Sequence, residues 1–322
     1  MIEVNNQNIR IWSKLGQRGA IFGSAIFPLL QEHPQIVAMT ADLGFLSGMD
    51  RFKAAHPDKF VNVGIAEQNL IGMSAALADE GRIPIVTTYA TFITMRACEQ
   101  IRHFLGYMGC NVKVIGSGAG LVMGFSGNTH YTIEDLAITR TIPNLTVFSP
   151  SDATEAVKVF EAAVKYKGPV YIRLTGGLNV PMVYKDDYQF EAGKAVTLKS
   201  EGRIAIVATG SMVNHALKAS LILQAGGIQA RVINYHTIKP FDRKAIEKII
   251  PEVDLFVTVE EHSIINGLGG AVAEVLSEFK QHGPLVRIGI HDEFKHAGDY
   301  ADLLTRNGLM PEQIAERVRA ER

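Results

Sequence analysis

Hydrophobic positions along this chain fall into short continuous runs that alternate with longer stretches of helical spacing. Ile36–Met39, Phe60–Val63, Ile83–Thr88, Val112–Ile115, Leu145–Phe148 and Val170–Leu174 read as buried strands. Gly16–Gln31, Ala66–Glu80, Ile93–Leu105 and Ala153–Lys165 read as the helices between them. Asp152, with Glu155 three residues on, predicts the cap of the last. The texture then changes. Thr175-Gly176-Gly177-Leu178-Asn179-Val180-Pro181 is loop chemistry and Lys185-Asp186-Asp187 is a polar turn. A fresh series follows: strands at Ile204–Val207, Arg231–Asn234, Leu255–Val259 and Val286–Ile290, and helices after Ser211, over Gly270–Phe279 and over Pro311–Val318. Strand-helix alternation predicts an α/β fold: two three-layer α/β/α domains with mainly parallel sheets, spanning 1–185 and 186–322. No repeat or low-complexity segment interrupts it.

Length fits two domains and composition narrows the class. At 322 residues, 47% hydrophobic and 20% charged, the chain can bury two cores. A formal net charge of -1 gives no electrostatic case for nucleic acid. Cys98 and Cys110 make no disulfide framework and read as small buried hydrophobes in a reducing compartment. A polar N-terminus without a signal pattern, and no apolar run of membrane length, predict a cytoplasmic protein.

The stretch with most chemistry is Val61-Asn62-Val63-Gly64-Ile65-Ala66-Glu67-Gln68-Asn69. A strand meets glycine and opens a helix with Glu67 in its first turn. An acid there complements the helix dipole. It also stands at a strand's carboxyl end, where open α/β sheets bind ligands. Phe92 follows another strand and reads either as core or as a ring that stacks on a flat ligand. His130 closes the glycine-rich loop Gly124-Phe125-Ser126-Gly127-Asn128-Thr129-His130, as a satisfied loop or core histidine, or as a proton shuttle or hydrogen-bond donor to a substrate oxygen. Gly116-Ser117-Gly118-Ala119-Gly120 lacks the third glycine of a dinucleotide fingerprint, since Leu121 stands there. Those glycines read as a turn or as a close backbone approach. His291, Glu293 and His296 lack zinc spacing and read as surface or interface residues.

In order, Ala41-Asp42-Leu43-Gly44, Gly64-Ile65-Ala66-Glu67-Gln68, Thr91-Phe92 with Arg96-Ala97, Gly127-Asn128-Thr129-His130 and Arg140-Thr141-Ile142-Pro143-Asn144-Leu145-Thr146-Val147 resemble the C-terminal half of transketolase. Ala208-Thr209-Gly210-Ser211, Lys239-Pro240-Phe241-Asp242 and Val259-Glu260-Glu261-His262 continue the match over nearly the whole chain. Deoxyxylulose-phosphate synthase and the 2-oxo acid dehydrogenase beta subunit share the scaffold, and the threonine-histidine loop with its following helix is more similar to transketolase and deoxyxylulose-phosphate synthase than to the dehydrogenase subunit.

The resemblance implies a thiamine diphosphate enzyme that moves a two-carbon ketol unit from a ketose to an aldose. The alternative is a deoxyxylulose-phosphate-synthase-like or 2-oxo acid dehydrogenase beta-type subunit, which would decarboxylate a 2-oxo acid. By position, Glu67 would be the catalytic acid, held protonated in an apolar site against the aminopyrimidine. Phe92 would stack on that ring, with Asp42, Leu43 and Arg96 also at the cofactor. His130 would contact the donor, and Arg18 its phosphate. Three positions depart from the family: Ser126 stands for an aspartate, Gly176 for an arginine with Arg173 close by, and Gly118 for a histidine. These changes imply a non-standard donor, with Arg18, Ser126, His130 and Arg173 as its contacts. The chain has no Gly-Asp-Gly; Gly298-Asp299 is followed by Tyr300. The resemblance therefore implies one subunit of a split enzyme. An N-terminal diphosphate-binding subunit would supply the Mg2+ ligands, in a two-plus-two heterotetramer.

Overall fold

The computed structural model describes residues 2–177 and 181–322. The loop reading at Leu178, Asn179 and Val180 lies outside the described residues. The first sheet contains β1 (Ile36–Thr40), β2 (Phe60–Asn62), β3 (Ile83–Tyr89), β4 (Lys113–Ala119), β5 (Thr146–Phe148) and β6 (Val170–Thr175). The second contains β7 (Val196–Lys199), β8 (Ile204–Ala208), β9 (Ala230–Asn234), β11 (Leu255–Ser263) and β12 (Leu285–Ile290). Between β9 and β11 the chain forms β10 (Thr237–Lys239), which crosses over to complete the first sheet. The orders are β10-β5-β6-β4-β3-β1-β2 and β12-β11-β8-β9-β7. All described pairings between these strands are parallel except β10 with β5 and β7 with β9.

Strand alternation explains the layers. On one face of the first sheet Met39, Val86, Val114, Val147 and Tyr171 pack on Leu70, Ile71, Ile101 and Leu105. On the other, Ile36, Ala38, Ile85, Ile115 and Ile172 pack on Trp12, Phe22, Leu29 and Phe160. The second sheet is likewise covered by Leu268, Val272 and Val275 on one side and by Met212, Ala216, Ile314 and Val318 on the other. Both domains are thus three-layer α/β/α, as expected from the sequence.

Local differences have local causes. A helix begins at Asn6, ten residues before the expected start, because Asn5 accepts the Asn8 N–H as a cap. Gly16, at φ 66°, kinks that run where a start was expected. The expected helix Ile93–Leu105 is instead two wide π-type turns, Phe92–Arg96 and Ile101–Tyr107, around a short Cys98–Gln100 helix. Asp152 caps Ala153–Lys165 as predicted, accepting the Glu155 N–H at 2.8 Å. Cys98 and Cys110 are free and only partly buried, and Cys110 packs against the first core. Among the described residues no helix is long and apolar enough to cross a membrane.

Candidate active site

The row β2-β1-β3-β4 presents its carboxyl ends side by side, and the sequence-predicted residues leave from those ends in turn. Asn62, the last residue of β2, organises the first two. Its Oδ1 accepts the N–H groups of Asp42 (2.9 Å) and Gly64 (3.0 Å), and its Nδ2 donates to Asp42 Oδ1 (3.3 Å). Asp42 and Gly64 both turn through positive φ, at 57° and 76°. Such a residue needs local hydrogen bonds to hold it there. The chain then enters the helix Glu67–Asp79, and Glu67 is 1% exposed although Ile65 beside it is 77% exposed.

Glu67 is not in the apolar surround expected from the sequence. Its Oε2 accepts a charge-assisted hydrogen bond from Arg96 Nη1 at 2.7 Å. Arg96 is 47% exposed and lies over the Phe92 ring, 4.5 Å from its centroid. Phe92 in turn meets Tyr89 at 5.8 Å and His130 at 5.5 Å between centroids. Leu43 and Phe92 both pack against a cluster holding Tyr89, Leu121 and Met123. Asp42 is exposed.

His130 sits in the loop that follows β4. A paired bridge between Gly120 and Thr132 closes this loop, and Nδ1 of His130 faces Thr129 Oγ1 at 2.8 Å. Ser126, partly buried, is on the same loop. The second domain props it up: fully buried Glu261 accepts from Leu121 N–H (2.6 Å), Ser211 and Tyr300, while Tyr131 bonds the backbone of Lys295. Burial raises the Glu261 pKa, and the Ser211 hydroxyl and the Leu121 N–H oppose the rise. The glycine run before the loop is a close approach, not a turn. Residues Gly116 to Ala119 belong to β4, and a Cβ on Gly116 would meet Tyr171 Oη at 2.4 Å. At Gly120 it would meet Glu261 Oε1 at 2.2 Å.

Arg18 is linked to this group through Tyr89, whose charge it feels. Nη1 donates to Leu46 O at 2.6 Å; burial pushes its guanidinium pKa down, and Tyr89 opposes that shift. Arg173 is not available to any substrate. It is fully enclosed: Nε donates to both Asp135 oxygens (3.0 and 2.9 Å) and Nη2 to Glu261 O (2.8 Å). Burial alone would lower its pKa, but Asp135, Glu261 and Tyr171 outweigh it and raise it. Alternation on β6 puts Tyr171 and Arg173 on one face, so both reach Asp135. Gly118 has φ 65°, and a Cβ there would lie 2.9 Å from Met123 Cγ, so Met123 fills the space a longer residue would take. Tyr89 and Met123 were not singled out from the sequence; the end of β3 next to Phe92 was the one available signal for Tyr89. His291, Glu293 and His296 are exposed, as expected. Among the described residues no three His, Cys, Asp or Glu gather as a metal set.

This arrangement offers a buried acid beside an aromatic face, with a histidine and a guanidinium nearby. Comparison with known proteins gives it a family. Residues 17–179 match the transketolase pyrimidine binding domain and residues 193–314 the transketolase C-terminal domain. The chain is 39% identical over 284 residues to a 6-deoxy-6-sulfo-D-fructose transketolase subunit of Clostridium sp. strain MSTE9, covering 88% of each. It is 39% identical over 296 residues to an apulose-4-phosphate transketolase subunit of Phocaeicola vulgatus, covering 92% of this chain and 94% of that one. A solved split gene transketolase, an inactive beta4 tetramer, superposes with a TM-score of 0.85 at 40% identity, covering 95% of this chain and 97% of that one. The chain therefore belongs to the transketolase family, as a polypeptide joining the pyrimidine-binding to the C-terminal domain.

Proposed function

We propose that this chain is the pyrimidine-half subunit of a thiamine-diphosphate-dependent enzyme that transfers a two-carbon ketol unit from a ketose to an aldose. One observation carries the reading: a buried carboxylate and an aromatic face, both at strand carboxyl ends, converge on one flat nitrogenous group, here the Arg96 guanidinium. A carboxylate acceptor beside an aromatic face, holding a planar N–H-bearing group, fits an aminopyrimidine. Bound there, thiamine diphosphate would supply the electron sink for breaking a carbon-carbon bond beside a carbonyl.

The chain's own residues would do the rest. Glu67 would hold the proton shared with a ring nitrogen, and Phe92 would fix the ring plane. His130, with Nδ1 turned to Thr129, keeps Nε2 for a proton at the donor's oxygen. Exposed Asp42 and partly exposed Leu43 would meet the partner subunit, which would bring the diphosphate site and Mg2+ ligands in a two-plus-two assembly. We place the division between the two domains near residue 185.

The donor pocket would be poor in cations, because Arg173 is committed to Asp135 and Met123 closes the Gly118 side. Arg18 remains for an anionic tail, and Ser126 offers a neutral hydroxyl. This favours a ketose outside the common phosphosugars, a reading supported by relatives named for 6-deoxy-6-sulfo-D-fructose and apulose 4-phosphate.

The test is to assemble the chain with its N-terminal partner, add thiamine diphosphate and Mg2+, and compare kcat/KM across a ketose panel and pyruvate. Ketol transfer, weak with xylulose 5-phosphate and stronger with a modified ketose, is expected. Pyruvate as the best donor would instead make this a deoxyxylulose-phosphate-synthase-like or dehydrogenase beta-type subunit.

A further inference from the structure

If Glu67 and Phe92 form the pyrimidine half-site, a premise on which this inference rests, then Arg96 stands in the ring's place. A bound aminopyrimidine needs a flat face on Phe92 and a nitrogen against Glu67. The guanidinium has both contacts now: its carbon is 4.5 Å from the Phe92 centroid and Nη1 is 2.7 Å from Glu67 Oε2. Tyr89 and His130 already flank the ring, at 5.8 and 5.5 Å between centroids. The surface under Arg96 is therefore the one left for a flat ligand, and two flat groups cannot share it. Arg96 is also built to leave. It sits one turn beyond Phe92 on a widened helical segment, half of its side chain is in water, and Glu67 is its one ion-pair partner among the described residues. Long flexible cationic side chains swing out at little cost when the head can rehydrate. Glu67 cannot leave, since it is enclosed at the helix start, and a buried carboxylate without a partner is costly.

We propose that Arg96 is the resident placeholder of the pyrimidine half-site. In the chain alone it satisfies Glu67 and covers the Phe92 face, and it withdraws when the cofactor ring enters. The placeholder discriminates. A fragment offering only the pyrimidine must displace a charge-assisted hydrogen bond, whereas the whole cofactor also gains its diphosphate contacts on the partner. Competition with such a bond weakens a ligand roughly ten- to hundredfold.

The experiment titrates the full-length chain with 4-amino-5-hydroxymethyl-2-methylpyrimidine, the pyrimidine piece of thiamine, by calorimetry. Wild type, Arg96→Ala, Arg96→Lys, Glu67→Gln and Phe92→Ala are compared, each first checked by its melting curve. Arg96→Ala should bind the probe roughly ten- to hundredfold more tightly than wild type, and Arg96→Lys should fall between. If Arg96→Ala binds no better, or worse, while Glu67→Gln and Phe92→Ala still abolish wild-type binding, the half-site stands and the placeholder is refuted. If no variant binds the probe, and Phe92→Ala leaves thiamine diphosphate affinity of the assembled complex unchanged, the half-site reading falls and takes the placeholder with it.

Discussion

Replacing Arg173 by Met separates a structural arginine from a substrate arginine. The guanidinium is fully enclosed and serves Asp135 through Nε and the Glu261 carbonyl through Nη2. Removing one partner of a buried pair typically costs about 3–5 kcal/mol, because the other charge stays buried. Losing the bond to Glu261 O adds about 1 kcal/mol. Against this, Arg173 Nη1 has no partner, and removing a buried orphan donor returns about 1–3 kcal/mol. Tyr171 also continues to donate to Asp135, at 2.7 Å. The net loss is about 3 kcal/mol, a large share of an ordinary stability of about 5–15 kcal/mol. For domains of this size that is a Tm drop of roughly 6–12 °C. The assay is urea and thermal unfolding of the isolated chain, alongside donor KM in the assembled complex. Adding Asp135→Asn to Arg173→Met should recover part of the loss, because it removes the stranded charge. A variant that melts like wild type but needs a tenfold higher donor concentration would refute this account and return Arg173 to the substrate pocket.

Three further outcomes follow from the same geometry. Gly118→His should not restore a family-like substrate contact; its positive φ and the overlap with Met123 should lower stability by about 1–3 kcal/mol, measured by melting, and Gly118→His with Met123→Ala should lose less. Burial pushes the Glu260 carboxyl up to about 7, against the Gly269 and Leu268 N–H groups, so between about pH 4.5 and 7 this carboxyl holds more proton in the folded chain than in the unfolded one and its contribution to stability falls as pH rises. Urea titrations at pH 5 and pH 7.5 should show that Glu260→Gln flattens this decline; an unchanged slope would mean Glu260 is ionised throughout. Glu261→Ala should strip the Leu121 N–H bond from the base of the His130 loop, along with the Ser211 and Tyr300 bonds that hold the prop in the second domain, raising donor KM more than it changes thiamine diphosphate affinity. Equal changes in both would count against a loop-positioning role.

The fold was legible where burial and periodicity coincide. Ile83–Tyr89 and Ile204–Ala208 are buried along their whole length, and continuous apolar runs announce such strands. What escaped were elements whose reason lies elsewhere in the chain. Thr237–Lys239 is only three residues long, between His236 and Pro240, and it is a strand because β5 offers an open edge. Val196–Lys199 is half-exposed at the other sheet's rim and has no apolar run to show. The site was legible as a set of strand ends: Asp42, Glu67, Phe92 and His130 each follow a strand, and the parallel order gathers them. Its charge pairing was not legible. Arg173 looked like a free cation because Asp135 lies 38 residues away in sequence. The surround of Glu67 looked apolar because Arg96 reaches it from the next strand's helix, 29 residues on.

Everything proposed for the site turns on Glu67 driving activation of a thiamine cofactor held between this chain and its partner. Hydrogen-deuterium exchange at carbon 2 of the thiazolium, followed by NMR in the assembled complex, measures that role without any sugar. Glu67→Gln keeps the side chain's size and removes its acid proton. Exchange should then be slower by roughly two to four decades than in wild type, the usual cost of deleting a positioned acid or base. Exchange at the wild-type rate, in a variant complex that still binds thiamine diphosphate, would contradict the role given to Glu67.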